Sequence, residues 1–296
     1  MRDYFTGNGE KSLPQIYRCS TRSLVTGRTH TIGVVVFDLQ HPFSAQLVTS
    51  VLTRLRNAGY FSSVTVSSGD PDEETRCLEQ MSSLNVDGII MVPINKGRKF
   101  DEYLKSLGRP IVTVVNSVSK SWPYVGVDYR KASKDAVAHA AARGYRRILC
   151  LCPYYPRSRS ENSHAITMLV KGYQKAISQI EGLAEPMIIS GNDYIEKIDK
   201  LRFGKRQRTA ILCSNDSLAL ELLTYLSNKG LSIPEDVGLM GFDNIEMLRH
   251  VHPPLATIDC SIEEIGKRAA ECLLSEFKGE YLSPVVRHRI IPGETL

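Results

Sequence analysis

Short apolar runs alternate with amphipathic segments along most of the chain from residue 31 onward. The first run, Thr31–Phe37, contains no charged residue, which is typical of a strand buried on both faces of a helix-covered parallel sheet. In the next segment, Ser44–Asn57, apolar residues recur one helical turn apart from Val48 onward, which predicts a helix with one apolar face. This alternation predicts stacked βαβ units.

The predicted elements form two groups, because the pattern restarts after Asp128. The first group contains strands at Thr31–Phe37, Ser63–Val66, Gly88–Val92, Pro110–Val115 and Tyr124–Val127. The second contains strands at Arg147–Cys152, Met187–Ser190, Thr209–Cys213 and Val237–Met240. Further helices are predicted at Ala132–Ala142, Ile166–Ile180, Ser217–Asn228 and Ser261–Phe277. We therefore predict an α/β fold class, with two doubly wound parallel-sheet lobes and a ligand cleft between them.

Composition indicates the cellular compartment in which we expect the protein. The chain has 296 residues, 42% of them hydrophobic and 23% charged, which suits two lobes of ordinary domain size. No apolar stretch approaches the roughly 20 residues that span a bilayer, and the first ten residues contain no apolar signal core. The seven cysteines form neither a CxxC pair nor a metal-type cluster with histidine. We expect a cytoplasmic protein without a metal or cofactor.

Basic residues are concentrated at the amino end. Residues 1–30 carry five basic and two acidic side chains, a net charge of +3 within the +5 of the whole chain. Such an arm could contact DNA phosphates, or it could be a solvated tail; charge alone leaves both interpretations open.

Polar residues follow three of the predicted strands: Asp128, Asn215 and Asp243. In open α/β sheets, ligands bind beyond the carboxyl ends of strands, where amides and carboxylates can hydrogen bond to a polyhydroxylated ligand. Alternatively, Asn215 and Asp243 cap turns and helices, as these residue types often do. Their shared location in both groups favours the ligand interpretation.

Several motifs, taken in chain order, resemble the LacI/GalR family of transcription regulators. Residues 21–29 are similar to that family's hinge helix, and 38–43 to the loop after its first strand, with His41 where asparagine is usual. Further matches lie at residues 127–129, 139–148, 215–216, 233–238, 241–243 and 254–258.

The resemblance implies a periplasmic-binding-protein-like core whose lobes are joined by three crossings. We expect an arm and hinge remnant at 1–30, a first lobe at 31–128 plus 259–278, and a second lobe at 129–258 plus 279–296. It further implies a sugar or nucleobase effector in the cleft, operator DNA as a partner, and a homodimer. On this basis, we expect the ligand to contact Phe43, Asp128, Tyr194, Asn215 and Asp243, with the two aromatic rings as stacking platforms. We expect Arg22, Leu24 and Arg28 to contact DNA, with Leu24 as a minor-groove wedge.

This chain departs from the family pattern at four places. Residues 1–15 contain no helix-turn-helix pattern, so we expect weak, salt-dependent DNA binding by this chain. Leu169 stands where the family usually has a cleft arginine, which puts carboxylate or ring-hydroxyl binding in doubt. Asn116 and Ser117 replace a common Asp-Arg pair, and the segment 192–208 is shorter than usual.

The sequence therefore predicts the effector-binding, dimerising core of a transcription regulator. The alternative is a stand-alone solute-binding protein with no role at DNA. An enzyme is disfavoured, because the chain contains no GxGxxG, phosphate-loop, HExxH or GxSxG motif and hence no candidate catalytic residues.

Overall fold

The computed structural model describes residues 28–154, 162, 164–204, 208–279 and 285–296. Its strands are β1 (Thr31–Val36), β2 (Phe61–Val66), β3 (Gly88–Met91), β4 (Ile111–Val114), β5 (Tyr124–Val127), β6 (Arg147–Leu151), β7 (Met187–Ile189), β8 (Thr209–Cys213), β9 (Val237–Asp243), β10 (Ala256–Asp259), β11 (Val285–Val286) and β12 (Arg289–Ile291). Its α-helices are α1 (Pro42–Asn57), α2 (Pro71–Ser83), α3 (Arg98–Ser106), α4 (Tyr129–Ala142), α5 (His164–Gln179), α6 (Tyr194–Asp199), α7 (Asp216–Asn228) and α8 (Ile262–Glu276), and a 3-10 helix spans Glu246–His250.

The first sheet has the strand order β11-β5-β4-β3-β1-β2, with parallel pairing throughout. Helices α1 and α8 pack on one face, where Val34, Ile90 and Val112 are buried. Helices α2 and α3 cover the other face through Leu78 and Leu104. Both faces are therefore apolar, which explains why these strands read as continuous hydrophobic runs.

The second sheet repeats this architecture in the order β12-β10-β9-β8-β6-β7. Only β12 is antiparallel, and it pairs with β10 at the edge. Helices α4 and α5 pack together over one face, and α6 and α7 cover the other. In each half, five parallel strands follow the doubly wound order 2-1-3-4-5, which confirms the predicted fold class.

The chain passes between the sheets three times, as the family resemblance implies: between β5 and α4, between β10 and α8, and between β11 and β12. The third crossing corrects one expectation. The segment 279–296 was expected to belong wholly to the second lobe, but Val285–Val286 pairs with β5 in the first sheet. The chain crosses only at the next two residues, where the His288 ring nitrogen Nε2 lies 2.9 Å from Asp135 Oδ2.

Two residues of α5 fix how that helix sits in the second half. A side chain at Gly172 would meet the backbone of α4, since a Cβ there would lie 2.2 Å from the Arg130 carbonyl oxygen. The next residue, Tyr173, is fully buried, and its hydroxyl oxygen lies 2.7 Å from the Ile148 carbonyl oxygen and 2.8 Å from the Met187 amide nitrogen. Close helix packing and this hydroxyl together position α5 over the sheet.

Candidate functional site

Two of the predicted ligand residues begin helices. Asp128 lies on the first crossing, and its Oδ1 accepts a hydrogen bond from the Lys131 amide at 2.9 Å, which caps α4. Asn215 Oδ1 accepts a hydrogen bond from the Leu218 amide at 2.9 Å and caps α7. The capping alternative is therefore confirmed for Asn215. Each cap satisfies a helix amide that would otherwise lack a partner.

Asp243 is different, because its side chain caps nothing. It is the last residue of β9, it has a φ of 114°, and it is only 8% exposed. The Cys260 amide, on the second crossing, donates to the Asp243 carbonyl oxygen at 3.3 Å. Among the described residues, no group donates a hydrogen bond to its carboxyl oxygens. Burial, and then the nearby charge of Asp216, hold the pKa of this carboxyl well above its ordinary value.

Asp216, the neighbouring carboxylate, is fully buried but has partners. Its Oδ1 accepts from the Thr257 hydroxyl at 2.6 Å, and its Oδ2 accepts from the Ile245 amide at 2.9 Å. These bonds hold the first turn of α7 against β10 and against the residues just after β9. Burial raises the pKa of Asp216 to about 7, although both hydrogen bonds act in the opposite direction. The sequence showed Asp216 only as part of a motif, and nothing in its spacing indicated a buried acid.

The two predicted stacking rings lie in separate clusters. Phe43, near the start of α1, is 6% exposed and packs in the apolar cluster that joins α1 and α8 to the first sheet. Tyr194 starts α6 on the other face of the second sheet, and its hydroxyl donates to Glu221 of α7. No described contact brings these two rings together. Their joint role at one pocket therefore stays a prediction.

The hinge residues fall mostly outside the described part of the chain. Arg22 and Leu24 precede residue 28, and their predicted DNA contacts stay predictions. Arg28 is described, and its guanidinium carbon lies 5.1 Å from the centre of the Phe277 ring, just beyond α8. This cation–π contact joins the end of the arm to the first sheet.

Asparagine side chains connect the two halves at the carboxyl ends of the strands. Asn116, after β4, accepts a hydrogen bond from the Ala165 amide at 3.1 Å and so satisfies the first turn of α5 in the other half. Its Nδ2 donates to the carbonyl oxygens of Pro93 and Asn162, each at 3.2 Å. Asn162 in turn donates from its own Nδ2 to the Ser117 carbonyl oxygen at 2.9 Å. The amide accepts and donates here at once, which an ionised aspartate could not do, so the Asn116 departure from the family pattern has a physical role.

Replacing Asn116 with alanine removes these three bonds, so we expect α5 to separate more easily from the first half. Each bond contributes on the order of 1 kcal/mol, which predicts amide exchange at Ala165 at least roughly tenfold faster. Hydrogen-exchange mass spectrometry of peptides covering the start of α5 measures this. Asn57→Ala, on the exposed end of α1, is the matched control. Unchanged protection in Asn116→Ala would show that the contact does not hold the halves together.

A buried glutamate, which the sequence did not reveal, stabilises the loop after β3 in the same region. Glu74 of α2 is fully buried, and its two oxygens accept from the amides of Ile94 and Asn95, each at 2.9 Å. Burial raises the pKa of this carboxyl. Glu74 thus fixes the loop after β3, whose Ile94 carbonyl oxygen accepts from the Asn162 amide at 2.5 Å.

Leu169 lies over an apolar cavity. The cavity, about 10 Å³ in volume, lies between α4, α5 and the second sheet, and its lining residues include Leu169, Tyr173, Cys150, Cys213 and Phe242. Such a volume holds about one water molecule. Leu169 is 6% exposed, so the position usually occupied by a cleft arginine contributes apolar packing here.

Within the described ranges, no three His, Cys, Asp or Glu side chains are arranged to hold a metal ion. The six cysteines in this part of the chain are buried, and none of them forms a disulfide bond there.

No described helix is both long enough and apolar enough to cross a membrane.

Comparison with known proteins agrees with this architecture. A family model described as "periplasmic binding protein-like domain" matches residues 137–296. The chain is 27% identical to the HTH-type transcriptional repressor PurR of Vibrio atlanticus over 272 residues, covering 87% of this chain and 77% of the relative. It is 28% identical to the catabolite control protein A of Priestia megaterium over 278 residues, covering 91% and 82%.

A similar solved structure is the periplasmic binding protein/LacI transcriptional regulator of Alkaliphilus metalliredigens in complex with D-xylulofuranose. Its TM-score is 0.77 at 24% identity, and the match covers 90% of this chain and 98% of that one. The chain therefore belongs to the periplasmic binding protein-like family and, within it, to the LacI/GalR regulators.

Proposed function

We propose that this chain is a regulator core that senses a small molecule between its two lobes and thereby controls operator binding. The observation that supports this proposal is Asp243, a buried carboxyl to which none of the described residues donates a hydrogen bond, at a strand end beside the second crossing. A ligand bound there contacts the segment about which the lobes would move. By linkage, the ligand changes operator affinity by the same factor as operator DNA changes ligand affinity.

The lobes proposed to move are 31–128 with 259–278 and 129–258 with 279–296, except that Val285–Val286 moves with the first lobe. We propose a sugar-like effector, with Phe43, Asp128, Tyr194, Asn215 and Asp243 around it. For Asp128 and Asn215, a carboxylate or amide oxygen already occupied by a helix amide retains a second lone pair for the ligand. The relative from Alkaliphilus metalliredigens contains D-xylulofuranose, which supports the sugar class.

We further propose a cytoplasmic homodimer whose hinge contacts DNA through Arg22, Leu24 and Arg28. The relatives are repressors, and two-fold operators require a two-fold protein. Sedimentation at micromolar concentration tests the dimer, and a monomer would contradict it.

Ligand binding is tested by calorimetry of this chain against sugars and nucleosides. We expect the Phe43→Ala and Asp243→Ala double variant to bind the best ligand at least about a hundredfold more weakly, since it loses a buried hydrogen-bonding carboxyl and an apolar surface. Glu185→Gln, an exposed change just before the amino end of β7 and not at the carboxyl ends of the strands, serves as the control. Unchanged affinity in the double variant would place the ligand elsewhere.

Control of DNA is tested separately with a chimera. A helix-turn-helix headpiece of known operator is fused ahead of Thr21, and repression of a reporter carrying that operator is measured. We expect repression that changes when the ligand is added, and no ligand response when Asp243 is alanine. A folded, dimeric chimera that binds the ligand yet never represses would instead support a stand-alone solute-binding protein.

A further inference from the structure

Five arginines converge where β6 and β8 begin, and we call this cluster the arginine platform. Arg147 and Thr209 stand opposite each other in the strand register, which brings the turn before β6 next to the segment before β8. Arg208 donates from Nη1 to the Arg143 carbonyl oxygen at 2.8 Å, and Arg147 donates from Nη2 to the Arg202 carbonyl oxygen at 2.5 Å. The platform consists of Arg143, Arg146, Arg147, Arg202 and Arg208.

The positive charge of the platform is not neutralised by the chain. In the described ranges, no carboxylate lies within the 4.0 Å of an ion pair from any of its five guanidinium groups, whereas elsewhere Arg268 pairs with two glutamates. Burial lowers the pKa of Arg147, and no nearby acid opposes that shift. Arg146, Arg202 and Arg208 are exposed to solvent. Like charges held this close repel one another, and a bound anion relieves that repulsion.

The platform faces away from both the cleft and the arm. Asn116, after β4, bonds to the start of α5, which follows β6, so the carboxyl ends of the two sheets face each other. The amino ends therefore lie at opposite ends of the molecule, with the arm at the amino end of β1 and the platform at the amino ends of β6 and β8. A partner bound to the platform leaves the cleft and the arm free.

The platform suits carboxylates better than nucleic acid bases, because its own arginines cover the nearby rings. The guanidinium carbon of Arg208 lies 4.6 Å from the centre of the Tyr145 ring, and that of Arg147 lies 5.9 Å from the centre of the Phe203 ring. Tyr145 is also only 1% exposed. Little ring surface is left for base stacking, on which single-stranded nucleic acids depend.

Acidic residues border the platform and limit its length. The Ala184 amide donates to the Arg146 carbonyl oxygen at 2.8 Å, which places the loop carrying the exposed Glu181 and Glu185 beside the platform. A long array of phosphates, as in duplex DNA, would meet these carboxylates and be repelled. A short acidic segment can avoid them.

We propose that the arginine platform is a docking surface for a short acidic segment of a partner protein. Guanidinium groups pair with carboxylates through two parallel hydrogen bonds, and the bonds to backbone carbonyls hold several of these groups in place before the partner arrives. This docking role is separate from effector binding and from DNA binding.

Fluorescence anisotropy of a labelled hexaglutamate peptide with the full chain tests the proposal. The platform variant is Arg146→Gln with Arg202→Gln, and the control, Arg56→Gln with Lys99→Gln, removes the same charge from exposed positions of the first lobe. We expect the platform variant to bind the peptide at least about tenfold more weakly and the control to stay within about twofold of the parent. Raising NaCl from about 50 to about 300 mM should weaken binding by the parent.

Hydrogen exchange locates the peptide on the chain, and we expect protection at 143–147 and 200–204. No binding, equal weakening in both double variants, or protection confined to the arm would overturn the proposal. A duplex oligonucleotide is titrated in parallel, and the platform is a nucleic-acid surface instead if the platform variant weakens duplex binding as much as peptide binding. Should the double variant unfold, Arg202→Gln alone, whose side chain forms no hydrogen bond with a described residue, should still bind the peptide at least about threefold more weakly.

Discussion

Replacing Gly172 with alanine is expected to destabilise the protein by on the order of 2–3 kcal/mol, although alanine is the better helix former by about 1 kcal/mol. The new Cβ would lie 2.2 Å from the Arg130 carbonyl oxygen and 3.0 Å from the Arg130 Cα. These are backbone atoms of α4, which cannot rotate away as a flexible side chain would. The two helices must therefore separate, and packing is lost on both sides of the contact.

Urea unfolding of Gly172→Ala and of Lys175→Ala, an exposed change on the same helix, measures this. We expect the lysine variant to remain within about 0.5 kcal/mol of the parent. If Gly172→Ala were as stable as the parent, the close approach of α4 and α5 would not exist in solution.

The fold was predictable from the sequence wherever an element is long and its periodicity unbroken. The predicted strand Thr31–Phe37 and the predicted helix Ser44–Asn57 correspond to β1 and α1 within a few residues. β9 continues to Asp243, three residues beyond its predicted end, because Gly241 and Phe242 extend the parallel pairing with β10. Such extensions depend on the neighbouring strand and leave little trace in local sequence.

The position of Val285–Val286 was the clearest error. The segment 279–296 was expected in the second lobe, yet its two short strands, Val285–Val286 and Arg289–Ile291, pair in different sheets. A strand of two residues carries almost no periodicity, so the sheet that it joins is decided by the path of the crossing chain. Sequence patterns within a short window contain no information about that path.

Some residues of the candidate site were likewise predictable from the local sequence, and others were not. The strand ends were identified because polar residues directly follow apolar runs, and Asp243 is buried at such an end. Asn116 stood out only as a departure from the family, and its bond to the Ala165 amide joins positions 49 residues apart. Glu74 was not singled out in the sequence; it belongs to the acidic first turn of α2 and is buried against the loop after β3. Contacts of this kind depend on tertiary placement.

The second large effect concerns pH, and it arises from the buried pair Asp216 and Asp243. Burial raises both pKa values above their ordinary range, that of Asp216 to about 7. Between the ordinary value of 3.8 and about 7, the folded protein therefore binds protons that the unfolded chain has released. Their contribution to stability is fully present below the unfolded pKa and is lost as pH rises through the folded one.

Asp243→Asn should remove the part of this loss that Asp243 contributes, because asparagine keeps the shape, bears no charge, and breaks no hydrogen bond from a described residue. Asp216 stays buried in the variant, so its raised pKa is common to both proteins. We expect the variant to become more stable than the parent as pH rises from about 5 to 8, reaching a difference on the order of 2 kcal/mol. Urea unfolding across this range gives the difference at each pH.

The difference in unfolding free energy between variant and parent isolates the effect of Asp243, because three histidines also affect the pH dependence of stability. Burial lowers the pKa values of His41, His139 and His164. Those shifts act in the opposite direction, increasing stability as pH rises toward the ordinary histidine value of 6.5. They are present in both proteins and cancel in the difference. Glu185→Gln, an exposed carboxylate without an ion pair among the described residues, should show a constant difference from the parent. A constant difference for Asp243→Asn as well would mean that water or a cation reaches this carboxyl in solution, and that the buried pair does not limit stability at high pH.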